Sequence, residues 1–264
     1  MPVVSEKLVY LELQKSASTL IGSILMQLFG AKKRPPTHGL LPADCRAMFV
    51  VGSVRNPWSY YVSLWSFGCE GNGGMLRRST QREFRAAAHR LPALGPLLHE
   101  IRKPAPEWRA VYAEPHSPEQ FRHWLARVHD PDRASEFEAP YAASRFRHIA
   151  GYATYRYCRL YADDFDAVTA ATTSGRLVRT LEAGFLPDAM IRTERVGDDL
   201  LAAVRKAGYE VDDALENEVR ERTAKPVNSS DHLPYTAYYD DASVELVAER
   251  DALIISRHGY AFGA

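Results

Sequence analysis

Residues 8–30 constrain the fold of this 264-residue chain more than any other stretch. Residues 8–13 are almost continuously apolar, which is typical of a short strand buried on both faces of a parallel sheet. Polar residues 14–19 interrupt that run. Apolar residues then recur at helical spacing from residue 21 to residue 28, before Gly30, a residue suited to a helix C-terminus. The stretch therefore predicts a strand, a loop and a helix in that order.

The loop at residues 14–19 has the composition of a phosphate-binding turn. In a strand–loop–helix unit the first N–H groups of the helix point at the loop, and the helix dipole favours an anion there. Lys15 adds a full positive charge, while Ser16, Ser18 and Thr19 add hydroxyl donors. An ordinary capped helix start is the alternative interpretation, because Ser and Thr are common at such positions.

The loop does not match a Walker-type ATPase or GTPase motif. That motif requires GxxxxGK followed by Ser or Thr, and no glycine precedes Lys15 in the chain. The sequence therefore gives little support to nucleoside triphosphate hydrolysis.

Charge and cysteine content argue against several classes of function. The 33 Lys and Arg residues balance 33 Asp and Glu residues, so no global field attracts nucleic acid or an anionic membrane. Three dispersed cysteines without a CxxC pair predict a reduced compartment and no structural zinc. Because no run of about 18 apolar residues spans a bilayer, we expect a soluble, cytoplasmic protein.

A second apolar strand is predicted at residues 47–54, and Arg55-Asn56-Pro57 follows it directly. A charged residue at the end of a buried strand, with Pro at the predicted first helical position, lies where open α/β sheets bind ligands. Ser63 comes eight residues after Arg55, about two helical turns along, and is predicted to face the same anion. In the alternative interpretation, Arg55 pairs with a carboxylate at the sheet edge.

Together these two stretches resemble the sulfotransferase family that uses 3′-phosphoadenosine 5′-phosphosulfate (PAPS), in particular its bacterial and carbohydrate-type members. In that family a loop similar to Gln14-Lys15-Ser16-Ala17-Ser18-Thr19 wraps the 5′-phosphosulfate. A strand ending in Arg-Asn-Pro, with a Ser eight residues after the Arg, binds the 3′-phosphate. The resemblance implies cofactor-binding roles for residues 14–19, Arg55 and Ser63. Because charge develops on the leaving phosphate oxygen, we expect Lys15 to act there as well.

The resemblance also implies a general base and leaves one part of the nucleotide site open. Cytosolic members carry a Thr-His-Leu-Pro stretch whose His is the base, and residues 37–42 are similar, which makes His38 the candidate. Glu12 or Glu70 is the competing carboxylate base. Gln14 and Ala17 replace the family's usual Pro and Gly. No Arg-Lys-Gly segment is found near the C-terminus; in its place, three polar residues of a turn are candidate 3′-phosphate donors: Lys225, Ser229 and Ser230.

Two further stretches bear on the acceptor. Residues 68–150 are a candidate acceptor-binding insertion within one sulfotransferase-like domain spanning residues 1–264. Residues 152–161 interleave tyrosines with arginines. Such a pattern can stack on single-stranded nucleic acid, but neutral net charge and the shortness of the patch favour core and acceptor pocket.

The predicted fold is a single α/β domain with a central parallel sheet, helices on both faces and a topology like that of P-loop kinases. A late strand is expected at residues 189–193, an amphipathic helix at 197–207 and a last helix at 241–256. The predicted function is in-line sulfuryl transfer from PAPS to a hydroxyl or amine acceptor, without a metal. The alternatives are a nucleotide or small-molecule kinase, or a non-catalytic nucleotide-binding relative of the sulfotransferases.

Overall fold

The structure, a computed structural model, describes residues 2–34, 40–82, 100–224 and 232–264. Within these residues one sheet contains five strands: β1 (Val3–Val4), β2 (Leu8–Tyr10), β3 (Lys32–Lys33), β4 (Phe49–Val54) and β5 (Ala189–Arg192). Their order across the sheet is β3-β1-β2-β4-β5. The predicted strands at residues 8–13, 47–54 and 189–193 are thus confirmed, each with a shorter hydrogen-bonded span.

The sheet is mixed, which corrects the expectation of a purely parallel one. Strands β2, β4 and β5 are parallel, whereas β1 pairs antiparallel with both β2 and β3. The connection between β1 and β2 is a tight turn, in which Ser5 N–H donates to the Leu8 carbonyl at 3.0 Å. So short a connection permits only an antiparallel pair, because a parallel crossover needs a dozen or more residues.

The helices pack on both faces of the sheet, as expected. Successive strand residues point to opposite faces, and they belong to two separate apolar cores. Leu8 and Tyr10 lie in a core with α1 (Ser18–Leu28), α11 (Val196–Lys206) and α12 (Asp213–Ala224). Val9 and Leu11 lie in the larger core on the other face.

The larger core takes most of the remaining helices, including those of the segment predicted to bind the acceptor. Met75, Trp108, Trp124 and Tyr141 from that segment are buried in it. The described helices on this face are α2 (Pro57–Cys69), α3 (Gly74–Thr80), α4 (Ala105–Ala110), α5 (Pro118–His129), α6 (Ala139–Ala143), α7 (Phe146–Ile149), α8 (Tyr152–Tyr161), α9 (Phe165–Thr169), α10 (Ser174–Ala183), α13 (Asp241–Arg250) and α14 (Ala252–His258). Short 3₁₀ turns occupy Ala43–Cys45, Pro131–Glu136, Thr193–Arg195 and Tyr235–Tyr238.

The predicted last helix is two helices, α13 and α14, which meet at Asp251. The Asp251 carboxylate is fully buried and accepts hydrogen bonds from the Tyr61 hydroxyl at 2.8 Å and from the Thr154 N–H and hydroxyl at 2.8 and 2.7 Å. Those bonds hold the side chain against α2 and α8, at the residue where the helix breaks. Across the described part of the chain, no helix is both long and apolar enough to cross a bilayer.

Candidate functional site

Three loops meet at the carboxyl ends of the parallel strands. They are residues 11–17 after β2, Arg55-Asn56 after β4 and the turn Thr193–Arg195 after β5. Thr193 joins two of them, because its hydroxyl donates to the Val54 carbonyl at 3.0 Å. Ligands of open α/β sheets bind at this edge, and every predicted cofactor residue within the described part belongs to these loops or to the helices that follow them.

The loop before α1 has a strained backbone at two non-glycine residues. Lys15 has φ 68° and Ala17 has φ 55°, both in the left-handed region. That conformation costs an L-residue roughly 1–2 kcal/mol. Ala17 is the residue before α1, a helix of 11 residues, and no side-chain hydrogen bond caps that helix. The first N–H groups of α1 therefore lack a cap from the N-cap side chain, which favours an anion at this end.

The hydroxyl of Ser16 faces the interior and holds the loop in place. Its Oγ donates to the Leu13 carbonyl at 2.6 Å and lies 2.8 Å from Ser53 Oγ, which is itself 2.8 Å from the Tyr10 hydroxyl. Ser16 is fully buried. The side chain is thus committed to the protein, and the group it has left for a ligand is its main-chain N–H.

The other loop residues are accessible from solvent. Gln14, Ala17 and Ser18 are half-buried and Thr19 is exposed. Gln14 stands at the turn that leaves the strand, while Ser18 and Thr19 form the first turn of α1. They lie in the strand–loop–helix order that the sequence predicted, and their roles toward a ligand stay predictions.

Lys15 is a half-buried cation that rests on an aromatic ring. Its Nζ lies 4.0 Å from the centre of the Phe67 ring in α2, a cation–π contact. Burial lowers the pKa of Lys15, the nearby Arg55 charge lowers it further, and Glu70 raises it. The ammonium is therefore short of compensating negative charge, which an oxyanion would supply.

Arg55 lies beside the same loop. Its Nε donates to Ser59 Oγ at 2.9 Å and its Nη1 to the Lys15 carbonyl at 3.3 Å. Burial lowers the pKa of Arg55, against the raising effects of Glu194 and Tyr260. The alternative expectation, that Arg55 pairs with a carboxylate, is not met in the described part of the chain, where no ion pair within 4.0 Å involves Arg55 or Lys15.

Ser63 lies in the second turn of α2 and is buried. The hydroxyl that contacts Arg55 belongs to Ser59, one turn earlier. Sequence reasoning missed this contact, although Ser59 has the i+4 spacing at which neighbouring helical side chains meet. Whether Ser63 adds a bond to a bound phosphate stays a prediction.

The C-terminal residues pack onto the Arg55-Asn56 corner. Asn56 N–H donates to Glu194 Oε1 at 2.9 Å, and the Tyr260 hydroxyl donates to Glu194 Oε2 at 3.2 Å. Asn56 Nδ2 donates to the Ala261 carbonyl at 3.1 Å. Tyr260 is a residue whose place beside Arg55 the sequence did not predict, because it comes from a segment about 200 residues away.

The candidate bases differ in position. Glu12 lies 3.7 Å from Lys33 Nζ, and a Cβ added at Gly22 would come within 3.0 Å of its Oε1. Exposed Glu70 is near enough to Lys15 for its charge to raise the pKa of that lysine. Of the two carboxylates, Glu70 is thus the one whose charge acts on Lys15. His38, Lys225, Ser229 and Ser230 lie outside the described residues.

The chemistry of this donor set suits a ligand with more than one anionic oxygen group. Two cations, a helix N-terminus and the Ser59 hydroxyl lie at one edge of the sheet.

In the residues that the structure describes, no three His, Cys, Asp or Glu side chains are grouped as a metal site. Two clefts of about 550 and 540 Å³ lie elsewhere, the second beside the amino ends of β4 and β5.

Comparisons with known proteins add no assignment. Neither the protein-family models, nor the curated proteins, nor the solved structures contain a match to this chain.

Proposed function

We propose that this protein is a PAPS-dependent sulfotransferase, which transfers a sulfuryl group to a hydroxyl or amine acceptor. The observation that carries the proposal is the pair Lys15 and Arg55, two partly buried cations linked by an Arg55–Lys15 hydrogen bond and without an ion pair in the described residues. They stand at the ligand-binding edge of the sheet beside the N-terminus of α1. The proposal agrees with the family that the two motifs resemble.

Each part of the site has a role in this function. The main-chain N–H groups at residues 16–19 and the Lys15 ammonium hold the 5′-phosphosulfate, because oxyanions bind at helix N-termini and to positioned cations. Arg55, positioned by Ser59, holds the 3′-phosphate with a planar guanidinium that matches phosphate geometry. Tyr260 stands next to Arg55, and its hydroxyl donates to Glu194, which in turn accepts from the Asn56 N–H.

PAPS supplies the sulfuryl group and a phosphate leaving group when it is bound. The protein's share of the work is positioning and charge stabilisation, which suffice for in-line transfer without a covalent enzyme intermediate. Lys15 neutralises charge at the leaving oxygen. The acceptor's proton goes to a base, for which His38 is the first candidate, and Glu70, near Lys15, is the carboxylate that competes with it.

Radiolabelled transfer assays test the proposal. We expect sulfate from PAPS to appear on a member of a hydroxyl and amine acceptor panel, with ATP unable to replace PAPS. His38→Ala should lower turnover by roughly 10² or more while binding of 3′,5′-adenosine bisphosphate persists, because general base catalysis is worth about 10²–10⁴ in rate.

The matched variants are Glu70→Gln and Glu12→Gln. Near-normal turnover in His38→Ala with loss in Glu70→Gln would move the base to Glu70. Nucleotide binding without transfer to any acceptor would favour a non-catalytic relative, and phosphoryl transfer from ATP would replace the proposal with a kinase.

A further inference from the structure

A second group of cations lies near the same helix α2, and we call it the arginine cluster: Arg78, Arg156 and Arg159 around Glu138 and Tyr152. Glu138 is buried and is the carboxylate to which two of the arginines point. It lies 2.7 Å from Arg78 Nη2 and 3.8 Å from Arg159 Nη1, and it accepts a hydrogen bond from the Tyr152 hydroxyl at 3.1 Å. In the described part of the chain, Arg78 and Arg159 thus share one carboxylate, and Arg156 lies beside the Tyr152 hydroxyl that donates to it.

Arg156 is the arginine of this cluster that has no ion pair in the described residues, although the neighbouring Tyr152 raises its pKa. Its described side-chain hydrogen bond is a long one, from Nη1 to the Tyr152 hydroxyl at 3.5 Å, and no carboxylate of the described residues lies within 4.0 Å. The side chain is half-buried. A partly desolvated guanidinium with free donors is the group that proteins use to bind carboxylates and sulfates with two parallel hydrogen bonds.

The neighbouring Tyr155 adds a second unsatisfied group. Its side chain is fully buried, and its hydroxyl has no hydrogen-bond partner in the described structure. Burial raises the pKa of Tyr155, and the charge of Arg159 and its contact with the hydroxyl lower it, so the hydroxyl lies close to that arginine while its own proton has no acceptor in the described structure. Buried polar groups normally find a partner, and an oxyanion between the arginines would be an acceptor for this hydroxyl.

Helix α2 connects the arginine cluster to the candidate active site. Tyr60 in its first turn is near enough to Arg156 to affect the pKa of that arginine, and Phe67 lies under the Lys15 ammonium. Seven residues separate Tyr60 from Phe67, so they share one side of the helix with an offset of about 10 Å along its axis. A molecule with a hydroxyl at Lys15 and an anionic group about 10 Å away would reach both.

We propose that the arginine cluster binds a carboxylate or sulfate group carried by the acceptor, with Arg156 as the principal contact. The assignment to an acceptor rests on the proposed sulfotransferase function; the anion site itself does not. The site selects acceptors with an oxyanion about 10 Å from the hydroxyl that receives the sulfuryl group.

The test uses two probes that differ in one group, 4′-hydroxybiphenyl-4-carboxylate and its neutral amide, 4′-hydroxybiphenyl-4-carboxamide. Each is titrated without nucleotide, and the arginine Nε–H signals are followed by NMR. We expect the carboxylate to bind at least about tenfold more tightly than the amide and to shift the Arg156 signal. Arg156→Gln should bring the two affinities within about twofold, whereas Arg176→Gln, on the exposed face of α10, should leave the preference intact.

Equal affinities of the unmodified protein for the carboxylate and the amide would overturn the proposed site. A preference for the carboxylate that Arg55→Ala removes and Arg156→Gln retains would also overturn it. If Arg156→Gln does not fold, Arg156→Lys keeps the charge without the planar fork, and a part of the preference should remain. The two proposals fail separately. A carboxylate preference without any sulfuryl transfer would reject the sulfotransferase function alone, and transfer without the preference would reject the arginine cluster alone.

Discussion

At the scale of single residues, the backbone at Ala17 shows what the loop needs. The sulfotransferases that the loop resembles have a glycine at this position, and the chain adopts the left-handed conformation there without one. Lys15 is left-handed as well. Such strain persists only when surrounding contacts hold the segment, and the inward hydrogen bonds of Ser16 provide them.

Ala17→Gly should therefore stabilise the protein. Removing the left-handed penalty gains roughly 1–2 kcal/mol, and the greater freedom of glycine in the unfolded chain costs about 0.5–1 kcal/mol. We expect a net gain of about 0.5–1 kcal/mol in the free energy of unfolding, measured in urea. The matched control is Ala202→Gly, at an exposed position of α11, which should destabilise by about 1 kcal/mol. Equal losses in both variants would argue against strain at Ala17.

Arg55→Ala should weaken binding of 3′,5′-adenosine bisphosphate and leave adenosine 5′-monophosphate almost unaffected. A charge-assisted hydrogen bond is worth about 1.5–3 kcal/mol, which is roughly a tenfold to hundredfold change in affinity. Arg55→Lys should recover only part of the loss, because the planar fork that contacts both Ser59 and the Lys15 carbonyl is absent. Calorimetry measures both affinities. An unchanged bisphosphate affinity in a folded Arg55→Ala protein would place the 3′-phosphate elsewhere.

Residue-level prediction from the sequence succeeds where a residue follows a strand directly. Lys15 and Arg55 could be expected at one sheet edge because each comes soon after an apolar strand. The inward orientation of the Ser16 side chain could not be expected from the sequence. It depends on the hydroxyls of Ser53 and Tyr10, which come close to Ser16 only in the folded sheet.

At the scale of elements, the packing of α5 against α2 leaves a histidine without partners. His129 is buried against the Tyr61 ring, with centroids 4.9 Å apart, and neither ring nitrogen has a hydrogen-bond partner in the described structure. Burial, and then the charge of Arg250, lower the pKa of His129 to about 3. The α5–α2 contact is thus built around a neutral imidazole.

This histidine should make stability depend on pH. Between pH about 3 and about 6.5 the unfolded chain binds a proton at His129 that the folded protein does not, so its contribution to stability rises with pH. His129→Phe should remove this part of the slope, at most about 1.4 kcal/mol per pH unit. Urea unfolding from pH 5 to pH 7.5 measures it.

The comparison of the unmodified protein with His129→Phe isolates His129, because the other groups with shifted pKa values are present in both proteins. His258, whose pKa burial lowers to about 4, and Asp251, whose pKa burial raises, contribute equally to each. The free-energy difference between the two proteins should change below pH 6.5 and be constant above pH 7. Parallel pH profiles throughout would show that His129 is accessible to protons in the folded protein.

The limits of element prediction have a similar cause. Strands β4 and β5 and helix α11 follow from local apolar patterns, and the structure confirms them. The break between α13 and α14 does not follow from the local pattern. It occurs at Asp251, whose side chain is hydrogen-bonded in the interior by Tyr61 and Thr154, and both of these are remote in the sequence. The two-residue strands β1 and β3 are too short for any periodic signal.

At the scale of the whole molecule, the three parallel strands organise the site and the antiparallel strands extend the sheet away from it. Because β2, β4 and β5 end at one edge, the loops after them bring together groups from the beginning, the middle and the end of the chain. The larger core carries α2 between this edge and the arginine cluster. In the two proposals, one cation pair serves the nucleotide and the second cation group serves the acceptor.

The central claim is that the Lys15 loop and Arg55 bind two separate phosphate groups of one nucleotide. The most direct test is a calorimetric comparison of 3′,5′-adenosine bisphosphate with adenosine 5′-monophosphate on the unmodified protein. We predict that the bisphosphate binds roughly tenfold to a hundredfold more tightly, because only it reaches both cations. Equal affinities for the two nucleotides would contradict the claim.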